Sequence, residues 1–83
     1  MIVNEGNIRL VTSSSHDDDG FNCEIWCEKA CLIIVSINNE GVVDVIFGKV
    51  NDFTFNYDVL KEFLEKAYNI VNERYIDFRK NKI

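Results

Sequence analysis

Phe21-Asn22-Cys23-Glu24-Ile25-Trp26-Cys27 is the stretch on which the reading of the fold turns. In an extended chain, successive side chains point to opposite sides. Phe21, Cys23, Ile25 and Cys27 therefore share one face, and Asn22, Glu24 and Trp26 share the other. One apolar face and one mixed face predict a half-buried antiparallel strand. Cys31 to Ile37 (Cys-Leu-Ile-Ile-Val-Ser-Ile) is nearly all apolar, as expected of a central strand beside it. Glu28-Lys29-Ala30 is left as a three-residue turn. Asn38-Asn39-Glu40-Gly41 makes the next reversal, a type I turn with Gly41 at positive φ, and Val42 to Gly48 returns as a strand.

Outward from this centre, Ile8 to Thr12 reads as a first strand with Ile8 and Leu10 on one face. Ser13 to Gly20, polar and closed by a glycine, reads as an exposed loop. Phe53-Thr54-Phe55 is either a short edge segment or a crossing towards a helix. From Tyr57 to Tyr75 the apolar positions Leu60, Phe63, Leu64, Ala67, Val71 and Tyr75 recur at helical spacing. Asn56 caps that helix, with Phe55 placed to staple against Leu60. Glu62 and Lys66 stand in the favourable order for an i, i+4 pair. Arg79, Lys80 and Lys82 follow, where positive charge suits the helix dipole. The expectation is an α+β fold: an antiparallel β-meander of four to five strands with one long C-terminal helix packed on one face.

Length and composition bound the rest. Eighty-three residues, 47% of them apolar, make one domain, residues 1–83, with an accessible surface of about 5,000 Å². No proline, repeat or linker-like stretch marks an internal boundary. The start, Met1-Ile2-Val3-Asn4-Glu5-Gly6, lacks the pattern of a signal peptide, and no run reaches the ~18 apolar residues of a membrane span. Three cysteines are an odd number for a disulfide framework and fit a reducing compartment, so a cytoplasmic location is expected.

Chemistry is poorly represented. His16 beside Asp17-Asp18-Asp19 invites a calcium-loop reading, but the register that fits Asp17, Asp19 and Gly20 puts Ser15 and Trp26 where acidic ligands are needed. Cys23 and Cys27, four apart on a strand, are separated by ~13 Å, too far to share a metal, and no Cys-x-x-Cys pair is present. A lone histidine beside Ser13, Ser14 and Ser15 in a loop gives no rigid nucleophile–base pair. Glu24, Glu28 and Asp44 resemble solvated strand residues as much as an acid/base pair. No enzyme activity, metal or cofactor is expected.

The face opposite the helix is more informative. A three-residue turn at 28–30 and a bulge at Gly41 put Phe21, Cys23, Ile25, Ile33, Val35, Ile37, Val43, Val45 and Phe47 inside. Asn22, Glu24, Trp26, Leu32, Ile34, Val42, Asp44 and Ile46 fall outside. A purely solvated face has no need of Trp26, Leu32, Ile34 and Ile46 together, so either the amino-terminal segment or a partner covers them. Charge is uneven too. Residues 1–58 hold ten acids and three bases, net −7, and residues 59–83 hold four acids and six bases, net +2. An acidic sheet side argues against nucleic acid and for a basic protein partner. Trp26 is the expected anchor, with Asp17, Asp18, Asp19, Glu24 and Asp44 supplying charge.

The meander from Trp26 to Phe47, the Asp17-Asp18-Asp19 loop and the Tyr57-to-Tyr75 helix together resemble the small immunity proteins of bacterial contact-dependent and other polymorphic toxin systems. The likeness is one of layout and charge. It implies a neutraliser that binds a nuclease-type toxin domain and occludes its basic active site. Phage-encoded inhibitors of host defence nucleases share the outline. The alternatives are a homo-oligomeric structural or regulatory domain joined through the Trp26 face, so that the chain is a monomer or homodimer, and a small-molecule or cation sensor or minor enzyme.

Overall fold

The computed structural model describes residues 1–14 and 20–81. The element order is β1 (Ile2–Val3), β2 (Ile8–Ser14), β3 (Phe21–Cys27), β4 (Ala30–Ile37), β5 (Val43–Phe47), β6 (Thr54–Phe55) and α1 (Tyr57–Asn81). Strands β2-β3-β4-β5 form one antiparallel sheet in chain order, and α1 packs across β3 and β4. This is the expected α+β meander with a long carboxy-terminal helix. Outside it, β1 pairs in parallel with β6, Ile2 opposite Thr54 and Val3 opposite Phe55. That second, two-stranded sheet has no periodic signature in so short a stretch.

The core follows the alternation of β3. Cys23, Ile25 and Cys27 are buried, as are Ile33, Val35 and Ile37 of β4, and they meet Ala67 and Val71 of α1. Leu60, Phe63 and Leu64 are only partly covered and flank this centre. The helix begins where Asn56 predicts: its Oδ1 accepts from the Val59 N–H at 3.2 Å, and its carbonyl accepts from the Leu60 N–H at 2.9 Å. Glu62 and Lys66 form the i, i+4 pair at 3.3 Å. The helix runs past Tyr75 to Asn81, because Phe78 continues the apolar face and meets the Phe21 ring edge-on at 5.9 Å. Twenty-five residues of helix span about 37 Å, longer than the strands they cover. The molecule is correspondingly elongated, 46 × 23 × 18 Å, with 5702 Å² of accessible surface.

The turn between β3 and β4 differs from expectation. Cys27 pairs with Ala30, so Glu28 and Lys29 alone make the reversal. Glu28 takes φ 52°, and it is the one described non-glycine residue at positive φ. A positive φ is the requirement that the favoured two-residue hairpin turns place on their first residue. One extra residue then enters β4: Ile25 pairs with Ile33, whereas Trp26 pairs with Cys31, leaving Leu32 as a bulge. A two-residue turn plus one bulged residue consumes as many residues as a three-residue turn. The register from Ile33 onward is therefore the expected one. Only the faces near the turn change: Leu32 is buried in the core, not on the outer face, and Cys31 takes the outer position beside Trp26.

The reversal before β5 is as expected. The Asn38 side chain accepts from the N–H groups of Glu40 at 2.9 Å and Val42 at 3.0 Å, and Gly41 sits at φ 85°. A side chain on Gly41 would also press on the Tyr75 ring at 3.2–3.4 Å. His16, Asp17, Asp18 and Asp19, read above as part of an exposed loop, lie outside the described residues. Ser13 and Ser14, read as the start of that loop, extend β2 instead.

Candidate functional site

The register of the four-stranded sheet sorts the outer face into rows. Arg9, Trp26 and Cys31 lie across the first; Val11, Glu24, Ile34 and Ile46 across the second; Ser13, Asn22, Ser36 and Asp44 across the third. Every one of these residues is at least partly exposed. The amino-terminal segment goes to the other side. The Met1 sulfur meets the Cys27 thiol at 3.6 Å on the core face, and Val3 is buried in the core. Of the two ways sequence offered to cover the outer face, the amino-terminal one is not used by Met1 or Val3, which pack on the core side.

Trp26 is held, not loose. Its Nε1–H donates to Glu24 Oε1 at 2.7 Å, and the Arg9 guanidinium lies 5.3 Å from its ring centroid. Arg9 in turn donates to the Glu28 carbonyl. The two-residue turn thus anchors the cation that lies over the tryptophan ring. Cation–π contacts of this kind contribute about 0.5–1 kcal/mol at exposed sites. The expected charge about the Trp26 anchor is carboxylate alone, from Asp17, Asp18, Asp19, Glu24 and Asp44. The structure brings one carboxylate and one guanidinium to it.

Asp44 is not part of that cluster. It sits two strands and two rows from Trp26, roughly 16 Å away by strand spacing and rise. The outer face consequently has two poles, Trp26–Glu24–Arg9 on the β2–β3 side and Asp44 with Ile46 on β5. Ile34 connects them as an apolar middle. Asp17, Asp18 and Asp19 lie outside the described residues. Arg9 and Val11 complete the face and were missed as contributors. Their signal was in the alternation Ile8-Arg9-Leu10-Val11, which sets both opposite the core-facing Ile8 and Leu10.

The cysteines bring no exposed thiolate. All three are free; Cys23 and Cys27 are buried and Cys31 is half-buried. Burial pushes each thiol above its ordinary value, and for Cys31 the Glu24 carboxylate adds to the rise. Among the described residues no three His, Cys, Asp or Glu side chains converge as metal ligands. No helix among them is long and apolar enough to cross a membrane. What the face offers chemically is recognition: a fixed aromatic ring, aliphatic ground between, and carboxylates at both poles.

No protein-family model matches this sequence, and no curated protein and no solved structure matches it.

Proposed function

We propose that this chain is a cytosolic protein-binding inhibitor of the immunity-protein type, which neutralises a nuclease-type toxin domain by covering its basic active site. One observation carries the reading. The outer sheet face, holding Trp26, Ile34 and Ile46 among Arg9, Glu24 and Asp44, lies opposite the helix and opposite Met1 and Val3, and each of these face residues is at least partly exposed. One aromatic anchor, with a carboxylate beside it and another at the far pole of the face, suits a partner that is basic and has apolar contacts near its cleft. The indole already fixed by Glu24 and Arg9 loses little freedom on binding, which favours affinity. A nuclease site is basic because it binds phosphates, so the carboxylates Glu24 and Asp44 would compete with its substrate.

The test is co-expression with the product of the adjacent gene. A stable complex, together with loss of that product's nuclease activity at equimolar inhibitor, supports the reading. A product that neither binds this chain nor is inhibited by it overturns the immunity role.

A further inference from the structure

The four-stranded sheet has two edges, and they are finished differently. On β2 the edge carries Arg9, Thr12 and Ser13, and Arg74 reaches from α1 to the Thr12 hydroxyl at 3.4 Å. On β5 the sequence Val43-Asp44-Val45-Ile46-Phe47 has four apolar residues in five, without lysine, proline or bulge. Its side chains are bare on both faces: Val45 is 46% exposed, Ile46 51% and Phe47 58%. Such an edge is normally blunted, because its free backbone groups template pairing with another chain.

Which groups point away from β4 follows from the bonds to it. Asn38 donates to the Val42 carbonyl at 3.0 Å, and the Gly48 N–H donates to the Leu32 carbonyl at 2.7 Å. Backbone direction alternates along a strand, so the even-numbered residues face β4. Val43, Val45 and Phe47 therefore turn their N–H and C=O groups away from the sheet. Three donors and three acceptors stand in a row.

We infer that β5 pairs antiparallel with β5 of a second copy about a two-fold axis at Val45, joining two sheets into one of eight strands. This register places Val45 opposite Val45 and Val43 opposite Phe47 of the second copy. It satisfies all six outward groups on each chain, with six interchain bonds. A register centred on Asp44 or Ile46 pairs fewer of the three residues, and one centred on Asp44 also sets two carboxylates directly opposite.

The side chains fit the same register. Val43, Val45 and Phe47 point to the helix side, where Val35, Val43, Val45, Leu64 and Tyr68, with Glu65 among them, line a shallow, largely apolar groove beside β5. Phe47 of the second copy, standing next to Val43, enters that groove. By symmetry, Phe47 of the first enters the other. Exposed ring and open groove on one patch make a self-complementary interface, as an isologous dimer requires. Extending the register brings Lys49 of one copy towards the Glu40-Gly41 turn of the other, so opposite charges meet at both ends. Strand β5 is about 17 Å long, and it needs the groove contacts to approach the roughly 800 Å² per partner of a stable interface. The dimer is accordingly expected to dissociate on dilution. It leaves the Trp26 face open and is independent of the inhibitor reading.

The test is mass in solution against concentration, together with amide hydrogen exchange. The wild-type chain should move from 9.6 kDa to twice that mass as concentration rises. The amides of Val43, Val45 and Phe47 should become protected in step. Val45→Lys should abolish the dimer, and Val11→Lys, on the outer face near the other edge, should not. Circular dichroism confirms that both variants fold. Because Val45 is exposed, a second variant, Phe47→Ser, tests the groove contact alone and should weaken the dimer at least tenfold. Three results overturn the proposal: a chain that stays monomeric up to about 1 mM, a dimer indifferent to Val45→Lys, or β5 amides protected only when a different protein is added.

Discussion

The Trp26 indole N–H donates to the Glu24 carboxylate at 2.7 Å, two residues earlier on the same face of β3. With the Arg9 guanidinium over the ring, the largest side chain of the outer face is fixed before any partner arrives. Its one polar atom is already bonded, so a partner meets the ring and the remaining Glu24 oxygen.

That relationship is testable in the isolated chain, because Trp26 is its single tryptophan. Glu24→Leu should shift the indole emission and release Arg9 from a negatively charged neighbourhood. The stability lost should be about 1 kcal/mol, as for an ordinary partly exposed hydrogen bond. Unchanged emission and an unchanged urea midpoint would mean that the indole is not held by Glu24.

The bulge makes a sharper prediction. Leu32→Ala should cost about 2–5 kcal/mol in chemical denaturation, because the side chain is buried in the core. A loss within about 0.5 kcal/mol would return Leu32 to the outer face and remove the bulge. Leu64→Ala, at a partly covered position on α1, should cost less than Leu32→Ala.

Glu28 should be improvable. A side chain in the left-handed region costs about 1–2 kcal/mol, and glycine removes that cost while adding up to about 1 kcal/mol of unfolded-chain entropy. Glu28→Gly is therefore expected to raise stability slightly, by a few tenths to about 1 kcal/mol. Gly41→Ala should do the reverse, losing about 1–2 kcal/mol, since φ 85° and the Tyr75 ring both oppose a β-carbon. Paired thermal melts of the two variants read both signs.

Alkaline pH should destabilise the fold. Burial raises the thiols of Cys23, Cys27 and Cys31 above their ordinary value of 9.0. Above that pH the unfolded chain gives up these protons while the folded chain keeps them. Stability is thus fully present below 9.0 and is lost as pH rises towards the folded values. Denaturation midpoints between pH 8 and about 10.5 should fall, and Cys23→Ala should make the fall shallower. A midpoint that rises with pH across this range contradicts the burial of the thiols.

Much of this was legible in residue order. The alternation of Phe21 to Cys27, the Asn38–Gly41 turn and the Asn56 cap each act over a few residues, and each appears where read. Two features were hidden for physical reasons. A two-residue turn with a bulge and a three-residue turn leave the same pattern after Ile33, so Leu32 could not be placed by periodicity. Alternation also assigns Val45 and Phe47 to the helix side without saying how far the helix reaches. The helix covers β3 and β4, and both residues remain exposed. At the site, Glu24, Trp26 and Asp44 do share a face, but one strand separates β3 from β5. That distance is a property of strand order, which no local pattern encodes. The pairing of Arg9 with Trp26 depends on the span from Ser13 to Gly20, whose length gives no register.

Charge on the outer face should act mainly on encounter. Asp44→Asn is expected to slow association with a basic partner and flatten its salt dependence, with little change in dissociation. Stopped-flow association at two ionic strengths reads this directly. Neutralising Asp17, Asp18 and Asp19 together is expected to act in the same direction, through the net charge of the chain.

The central claim, that the open face anchored by Trp26 binds a basic protein, is tested most directly by dissociation kinetics of the complex with the adjacent gene's product. Trp26→Ala should weaken affinity by at least ~2 kcal/mol, roughly 30-fold, chiefly through faster dissociation. An unchanged dissociation rate for Trp26→Ala, with weakening instead from substitutions at Lys61, Glu65 and Asn69 on the exposed side of α1, would contradict it.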